Sequence, residues 1–452
     1  MANLLRNAPC ACNSGLRYKH CCGSLAGETS KGLNSRRQAA LILQKAGRSF
    51  EAIEAYDAIL LEQGNDWEVA HMRALAYLQI GLMDEARVAF AALLSTPVVH
   101  FDGFWSNLGL LLASVCSDPL SVAVQSKLNA YRCMHPVLKA TRAGKEQTAC
   151  SSSDNYPSVS VVMPAYMHAG YVSEAIGSVF SQTRPPLELI VIDDGSTDGT
   201  AESCRAALAS APFPVTLIAR ENRGAATTLN QGIQMAKGDY IQLLNSDDRL
   251  PADRIETMLD SLLERNAEWG FARVSFMDGN GHAFRQHENN RQIGLMAQQN
   301  AAVMCPTLGL AMLRANSAIT SGNLMFRKNL WETLGGFHDY RYNHDWDFCL
   351  RATLESEPVL VPHSLYEYRI HERNTISESF HAPRMEQRKV MASFVRAALN
   401  HPPRANHFSP TLANWGGEFI ALLGLTEALQ HLPIEIVEQA LQEPHSFTIP
   451  IG

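Results

Sequence analysis

LELIVIDDGSTDGT, residues 187–200, and GDYIQLLNSDD, residues 238–248, decide how the rest of the chain is read. Each holds a short apolar run that stops on carboxylates: Leu189-Ile190-Val191-Ile192 before Asp193-Asp194, and Tyr240 to Leu244 before Asn245-Ser246-Asp247-Asp248. An apolar run with no polar residue to turn outward predicts a central strand covered on both faces. The acids then fall at its carboxyl end, where open α/β sheets bind ligands in the crevice beyond the strand tips. Two acidic clusters in one crevice repel each other unless a cation or hydrogen-bond donors stand between them. A divalent metal with a phosphate-bearing ligand would fill that place.

Working outward, Val159 to Met163 predicts another strand, with Pro164-Ala165-Tyr166 turning the chain at its carboxyl end. A helix is predicted from about Tyr171 to Gln182, another from Thr200, a strand over Val215 to Ala219, and a helix rich in small residues over Gly224 to Ala236. Strands and helices alternating in this way give right-handed parallel crossovers and an α/β sheet with helices on both faces. Between Asp278 and Asn316 the strand signals fade, and Gly279, Gly281, Asn289 and Asn290 predict loops. Helical spacing returns after Glu378, with two packed helices expected over Leu412 to Leu441.

The amino-terminal part is different. Residues 6–23, RNAPCACNSGLRYKHCCG, bring Cys10, Cys12, Cys21 and Cys22 together around an Asn13-Ser14-Gly15 turn. Four thiolates can surround Zn2+ tetrahedrally, and so short a segment has little else to hold a fold. The spacing resembles the SEC-C metal-binding motif. From Ser35 to about Ala143 apolar residues recur at helical spacing, broken at Gly47, Gly64, Gly81 and Pro97. A shift of 34 residues aligns Gly47 with Gly81, Ala40 with Ala74, Glu51 with Glu85, Ala52 with Ala86 and Tyr56 with Phe90. That period resembles tetratricopeptide (TPR) repeats, with a third, degraded unit over Phe104 to Arg132. Such repeats leave a concave face suited to a peptide or protein, or merely brace a neighbouring domain. The expected organisation is a zinc module over 1–25, helical repeats over 33–143, a polar linker over 144–156, the α/β domain over 157–385 and a helical segment over 386–452.

Composition narrows the function. With 46% hydrophobic and 18% charged residues the chain is globular, and a net charge of −7 argues against a basic face for nucleic acid. Its longest apolar stretches fall short of the ~20 residues that span a bilayer. Cysteines reached before any signal-length apolar run, four of the ten lying in the first 22 residues, suggest a reducing, cytoplasmic setting.

VSVVMPAYMHAGYVSEAIGSVFSQTRPPLELIVIDDGSTDGT, ENRGAATTLNQGIQMAKGDYIQLLNSDD, SGNLMFRKNLWETLGGF and HDWDFCLR follow one another over Ser158 to Ser377. Taken singly each is weak, since Asp-Asp-Gly-Ser is an ordinary turn in most proteins. Together they resemble family 2 glycosyltransferases of the GT-A fold. The resemblance implies an inverting transferase that moves a sugar from a nucleotide-diphosphate donor to an acceptor hydroxyl, with Mg2+ or Mn2+. It implies that Pro164, Ala165 and Tyr166 form the first nucleotide-binding turn and that Asp193, Asp194 and Asn245 take the base and ribose. Asp247 would hold the metal, with Asp248 in reserve and His371 completing the shell. Asp345 falls on the catalytic carboxylate, with Asp347 as second choice and helix capping as its bland role. Asn245 and His344 depart from the family pattern, which has Asp and Glu there. A glycan, a lipid-linked intermediate or a protein docked on the repeats could be the acceptor. The alternative is a binding scaffold in which those departures have removed turnover.

Overall fold

The computed structural model describes residues 22–116, 156–284, 289–302, 305–372, 382–400, 406–426 and 428–444, with a few isolated positions between them. Cys10, Cys12 and Cys21 lie outside the described residues, as do 144–155 of the expected linker. The described residues form two compact units. Among them, no helix is long and apolar enough to cross a membrane.

The first unit is built from the helices Cys22–Lys45, Ser49–Glu62, Trp67–Gln79, Met83–Leu93 and Asp102–Cys116. Residues related by the 34-residue shift occupy equivalent places. Gly47 and Gly81 have φ of 78° and 79°, the left-handed conformation that ends a helix and is easy only for glycine. Ala40 and Ala74, Ala52 and Ala86, and Tyr56 and Phe90 are all buried. Small residues let neighbouring helices approach, and the aromatic fills the space beside them. The helix Ile434–Gln442 joins this unit, not the preceding helices of the expected 386–452 segment. Its Val437, Ala440 and Leu441 are buried, and Arg87 donates from Nε to Leu441 O at 2.6 Å and from Nη2 to Gln442 O at 2.8 Å, satisfying carbonyls at the helix end.

The second unit is organised by a seven-stranded sheet. Its strands are β1 (Val159–Ala165), β2 (Glu188–Asp194), β3 (Val215–Arg220), β4 (Tyr240–Leu243), β5 (Trp269–Met277), β6 (Met325–Arg327) and β7 (Val359–Arg369). The order is β3-β2-β1-β4-β6-β5-β7. The first four pair in parallel, β6 runs antiparallel to both its neighbours, and β7 is parallel to β5. The helices Val172–Phe180, Thr200–Leu208 and Ala225–Met235 make the crossovers. β2 and β4 are buried along their whole length, in keeping with their mainly apolar centres, whereas β3 at the edge is half-buried. Pairing of Ala165 with Asp193, and of Val162 with Leu243, sets the tips of β1, β2 and β4 side by side.

β5, β6 and β7 are the strands that the sequence pattern does not announce. β7 carries Pro362, His363 and Ser364 where its register against β5 slips, between Ala272 and Val274. Such an irregularity is where a strand tolerates proline, and it hides the alternation. Arg254 pins this half of the sheet: it is buried and donates to Gln242 Oε1 at 3.0 Å, Asn323 Oδ1 at 2.8 Å and Asn323 O at 2.8 Å. Burial pushes its pKa down to about 9.

Candidate active site

The chain leaves β1 through Pro164, Ala165 and Tyr166, with Tyr166 half exposed. Met167 follows in the left-handed region, φ 57°. This loop is tied down by the turn after β2: Met167 N donates to Ser196 Oγ, and His168 N to Thr200 Oγ1, both at 2.9 Å, and Ala169 N to Asp198 Oδ2 at 3.1 Å. The hydroxyls and carboxylate of the STDGT sequence are thus consumed as anchors. Gly195 is needed because a Cβ there would lie 2.6 Å from Asn222 N, and its φ is +80°.

The β2 acids divide. Asp194 is committed to protein partners: it pairs with Arg220 and accepts from Arg223 N and Gly224 N, each at 2.9 Å. Asp194, expected to contact a nucleotide, holds the loop that starts the next helix. Asp193 is 2% exposed, and its Oδ2 accepts from Ser196 N at 3.3 Å. Its Oδ1 is buried with no hydrogen-bond partner among the described residues. A buried carboxylate oxygen without a donor is costly and points to a ligand group.

The β4 tip divides in the same way. Asn245 turns inward, donating to Thr320 Oγ1 at 2.6 Å and Asp248 Oδ2 at 3.2 Å and accepting from Ser321 Oγ at 3.1 Å. Asp248 also accepts from Tyr366 Oη at 2.7 Å and Arg369 N at 2.8 Å. Burial, together with the charge of Asp247, pushes its carboxyl well above the usual range. Asn245, expected at the ribose, and Asp248, the expected reserve metal ligand, are hydrogen-bonded to each other. Asp247 faces the other way. His371 Nε2 lies 3.1 Å and His168 Nε2 3.8 Å from its Oδ2. Burial opposes its charge, but the two imidazoles hold its carboxyl below the usual range.

His168, Asp247 and His371 form a group able to hold a cation, with one ligand atom from each lying within 4.8 Å of the others. Arg369 at the β7 tip locks the surroundings, donating to Asp247 O at 2.7 Å and to Glu174 Oε2 at 2.7 Å. Asn374 donates to Asp247 Oδ2 at 3.4 Å and accepts from His371 N at 2.8 Å. His168, Arg369 and Asn374 went unremarked in the sequence. For His168 a signal exists: a histidine two residues past the β1 turn lands beside whatever follows β4, because β1 and β4 are neighbours.

Asp345 lies in the first turn of the helix His344–Glu355 and is buried. Burial pushes its carboxyl up, partly offset by His344, the Trp346 N–H and the Asn316 side chain. The chain before it is held by Glu386, whose carboxylate accepts from Arg341 N, Tyr342 N and Asn343 N at 2.8, 2.7 and 2.8 Å. Asp347 instead pairs with Arg351, at 2.6 Å, and with His338, at 3.0 Å. Burial raises the phenol pKa of Tyr368, opposed by the charge of Arg291, whose Nη2 donates to its Oη at 3.1 Å.

A mixed α/β sheet of the GT-A type, with acids and imidazoles at the tips of its parallel strands, defines a nucleotide-sugar transferase class of fold. Residues 160–331 match the family model described as Glycosyl transferase family 2, and residues 6–24 match the SEC-C motif. Residues 160–331 are thus similar to family 2 glycosyl transferases. It is 34% identical to the putative teichuronic acid biosynthesis glycosyltransferase TuaG of Bacillus subtilis (strain 168), over 28% of this chain and 50% of that protein. It is 28% identical to the glycosyltransferase GlyG of Streptococcus pneumoniae serotype 4, over 47% of this chain and 70% of that one. The crystal structure of S. aureus TarS 1-349 in complex with UDP-GlcNAc aligns with a TM-score of 0.46 and 17% identity, covering 65% of this chain and 88% of that one. The chain spans about half the length of TuaG.

Proposed function

We propose that the second unit transfers a sugar, with inversion, from a nucleotide-diphosphate donor to an acceptor hydroxyl. The observation that carries this reading is the division of labour at the strand tips. Each acidic pair has one member committed to the protein and one, Asp193 or Asp247, turned to where a ligand would lie. Asp193 Oδ1 would accept from a base N–H, and Tyr166 would cover the base. Asp247 and His371 fit a divalent cation, because a carboxylate oxygen and an imidazole nitrogen already stand 3.1 Å apart. Such an ion, when bound, neutralises charge on a departing diphosphate.

Asp345 would act as base. Its carboxylate takes the acceptor hydroxyl's proton as that oxygen forms its bond to the anomeric carbon, and the electron pair of the breaking carbon–oxygen bond leaves with the diphosphate. Its raised pKa suits a group that must receive a proton. Cys10, Cys12, Cys21 and Cys22 would bind Zn2+, in keeping with the SEC-C match. The 34-residue repeat would offer a protein-binding face of tetratricopeptide type.

The test incubates the full chain with Mn2+ and a panel of nucleotide-diphosphate sugars. Slow donor hydrolysis that disappears in Asp247→Ala is expected. Absence of both nucleotide-dependent stabilisation and donor consumption, with every donor and metal tried, would refute the proposal.

A further inference from the structure

We infer that His168 is a third protein ligand of the cation site, and that the resulting two-imidazole, one-carboxylate set makes the site select manganese-like transition ions over magnesium. The inference rests on the cation placement proposed above; what it adds is a ligand from the β1 loop and the selectivity that follows.

Geometry supports the ligand. Two atoms each about 2.1 Å from one ion stand about 3.0 Å apart at adjacent octahedral positions and about 3.4 Å apart at tetrahedral ones. His371 Nε2 and His168 Nε2 lie 3.1 and 3.8 Å from Asp247 Oδ2, and one ligand atom from each residue lies within 4.8 Å of the others, so side-chain adjustment alone can close the set on an ion. His168 Nδ1 is 2.8 Å from Ser246 Oγ. In the tautomer whose Nδ1–H donates to that hydroxyl, the Nε2 lone pair is turned to the ion, the arrangement by which an outer partner orients a ligating histidine. The ring has little room to swing away. Its own N–H is held by Thr200 and the preceding one by Ser196, and Tyr171 packs edge-on against it with centroids 5.9 Å apart.

Chemistry supports the selectivity. Magnesium demands near-ideal octahedral oxygen coordination and gives up water reluctantly, whereas imidazole is a softer donor that binds the first-row divalent transition ions better, manganese being the weakest of that series. The acids that could have made an oxygen-rich site are used elsewhere: Asp248 is saturated by Asn245, Tyr366 and Arg369, and position 245 is an amide. Loss of the second carboxylate is thus matched by the gain of an imidazole.

The experiment measures the metal alone on the full chain stripped with chelator, with the cysteine cluster kept in every variant so that its contribution cancels. Bound Mn2+ is followed by loss of the free ion's electron paramagnetic resonance signal, with Mg2+ as competitor. Wild type is expected to bind Mn2+ at least about tenfold tighter than Mg2+, and His168→Ala and His168→Gln to lose about tenfold or more for Mn2+ while Mg2+ binding stays within about twofold. Equal melting temperatures in chelator establish that the variants fold. Unchanged Mn2+ affinity in both His168 variants, alongside a loss in His371→Ala, would overturn the role of His168 and leave the general cation placement standing. Mg2+ displacing Mn2+ at equal concentration would overturn the selectivity. Neither readout depends on transfer, so a failure of the proposed activity stays separate.

Discussion

Replacing Asn245 by aspartate, the residue the family pattern has there, separates the two accounts of this protein. Asn245 Nδ2 donates to Asp248 Oδ2 at 3.2 Å, and Asp248 is buried with its carboxyl already pushed well above the usual range. An aspartate at 245 sets a second carboxylate against the first. Two unit charges about 4 Å apart repel by roughly 4 kcal/mol at an effective dielectric constant of about 20. The pair escapes part of this by keeping a proton, at a cost of about 1.4 kcal/mol for each pH unit above an ordinary carboxyl pKa of about 4. The expected destabilisation relative to wild type, whose Asp248 carboxyl is already raised, therefore widens as pH rises from about 5 to about 7, up to a ceiling of roughly 4 kcal/mol. The sign follows from linkage: a carboxyl whose folded pKa is raised keeps its stability at low pH and loses it as pH rises through the folded value. Unfolding of wild type and Asn245→Asp in chelator, across that range, measures the gap. A variant as stable as wild type at pH 7, or a gap that does not widen from pH 5, would refute the placement of Asn245 as an internal partner of Asp248. A gain in donor turnover with Mn2+ would favour the scaffold account, in which this position disabled the site.

Asp345→Asn is expected to abolish transfer while nucleotide binding persists. Because its folded pKa is raised, removing the buried charge should also raise the melting temperature at pH 7, an advantage that vanishes below about pH 4, where aspartate protonates even unfolded. In wild type, kcat/KM should fall as pH drops through a pKa above that of an ordinary aspartate. Glu386→Gln weakens the anion that gathers the Arg341, Tyr342 and Asn343 N–H groups, so kcat should drop by about tenfold with little change in nucleotide affinity; an unchanged kcat would show that Asp345 is positioned without it. Asp193→Ala removes the buried, partnerless oxygen, so the thermal shift produced by the preferred nucleotide should be lost although the metal still binds.

The local sequence determined the parallel half of the sheet. Largely apolar runs at 159–163, 189–192 and 240–244, broken only by Ser160 and Gln242, have one way to bury themselves, and the acids that follow two of them fall at the crevice. It also determined the repeat, since glycine at 47 and 81 and small or aromatic residues at matched positions are demands of helix ends and helix crossings. Tertiary structure decided which acids face a ligand. In β2 successive residues point to opposite sides, so Asp194 meets the protein and Asp193 the crevice, whereas Asp247 and Asp248 lie in the turn beyond β4, where distant partners divide them. The partners that fix the choice are distant in the chain: Arg220 and Gly224 for Asp194, Thr320, Tyr366 and Arg369 for Asn245 and Asp248, His168 and His371 for Asp247. No periodicity along a single segment carries that information, because it arises only when β1, β4 and β7 deliver their ends to one place.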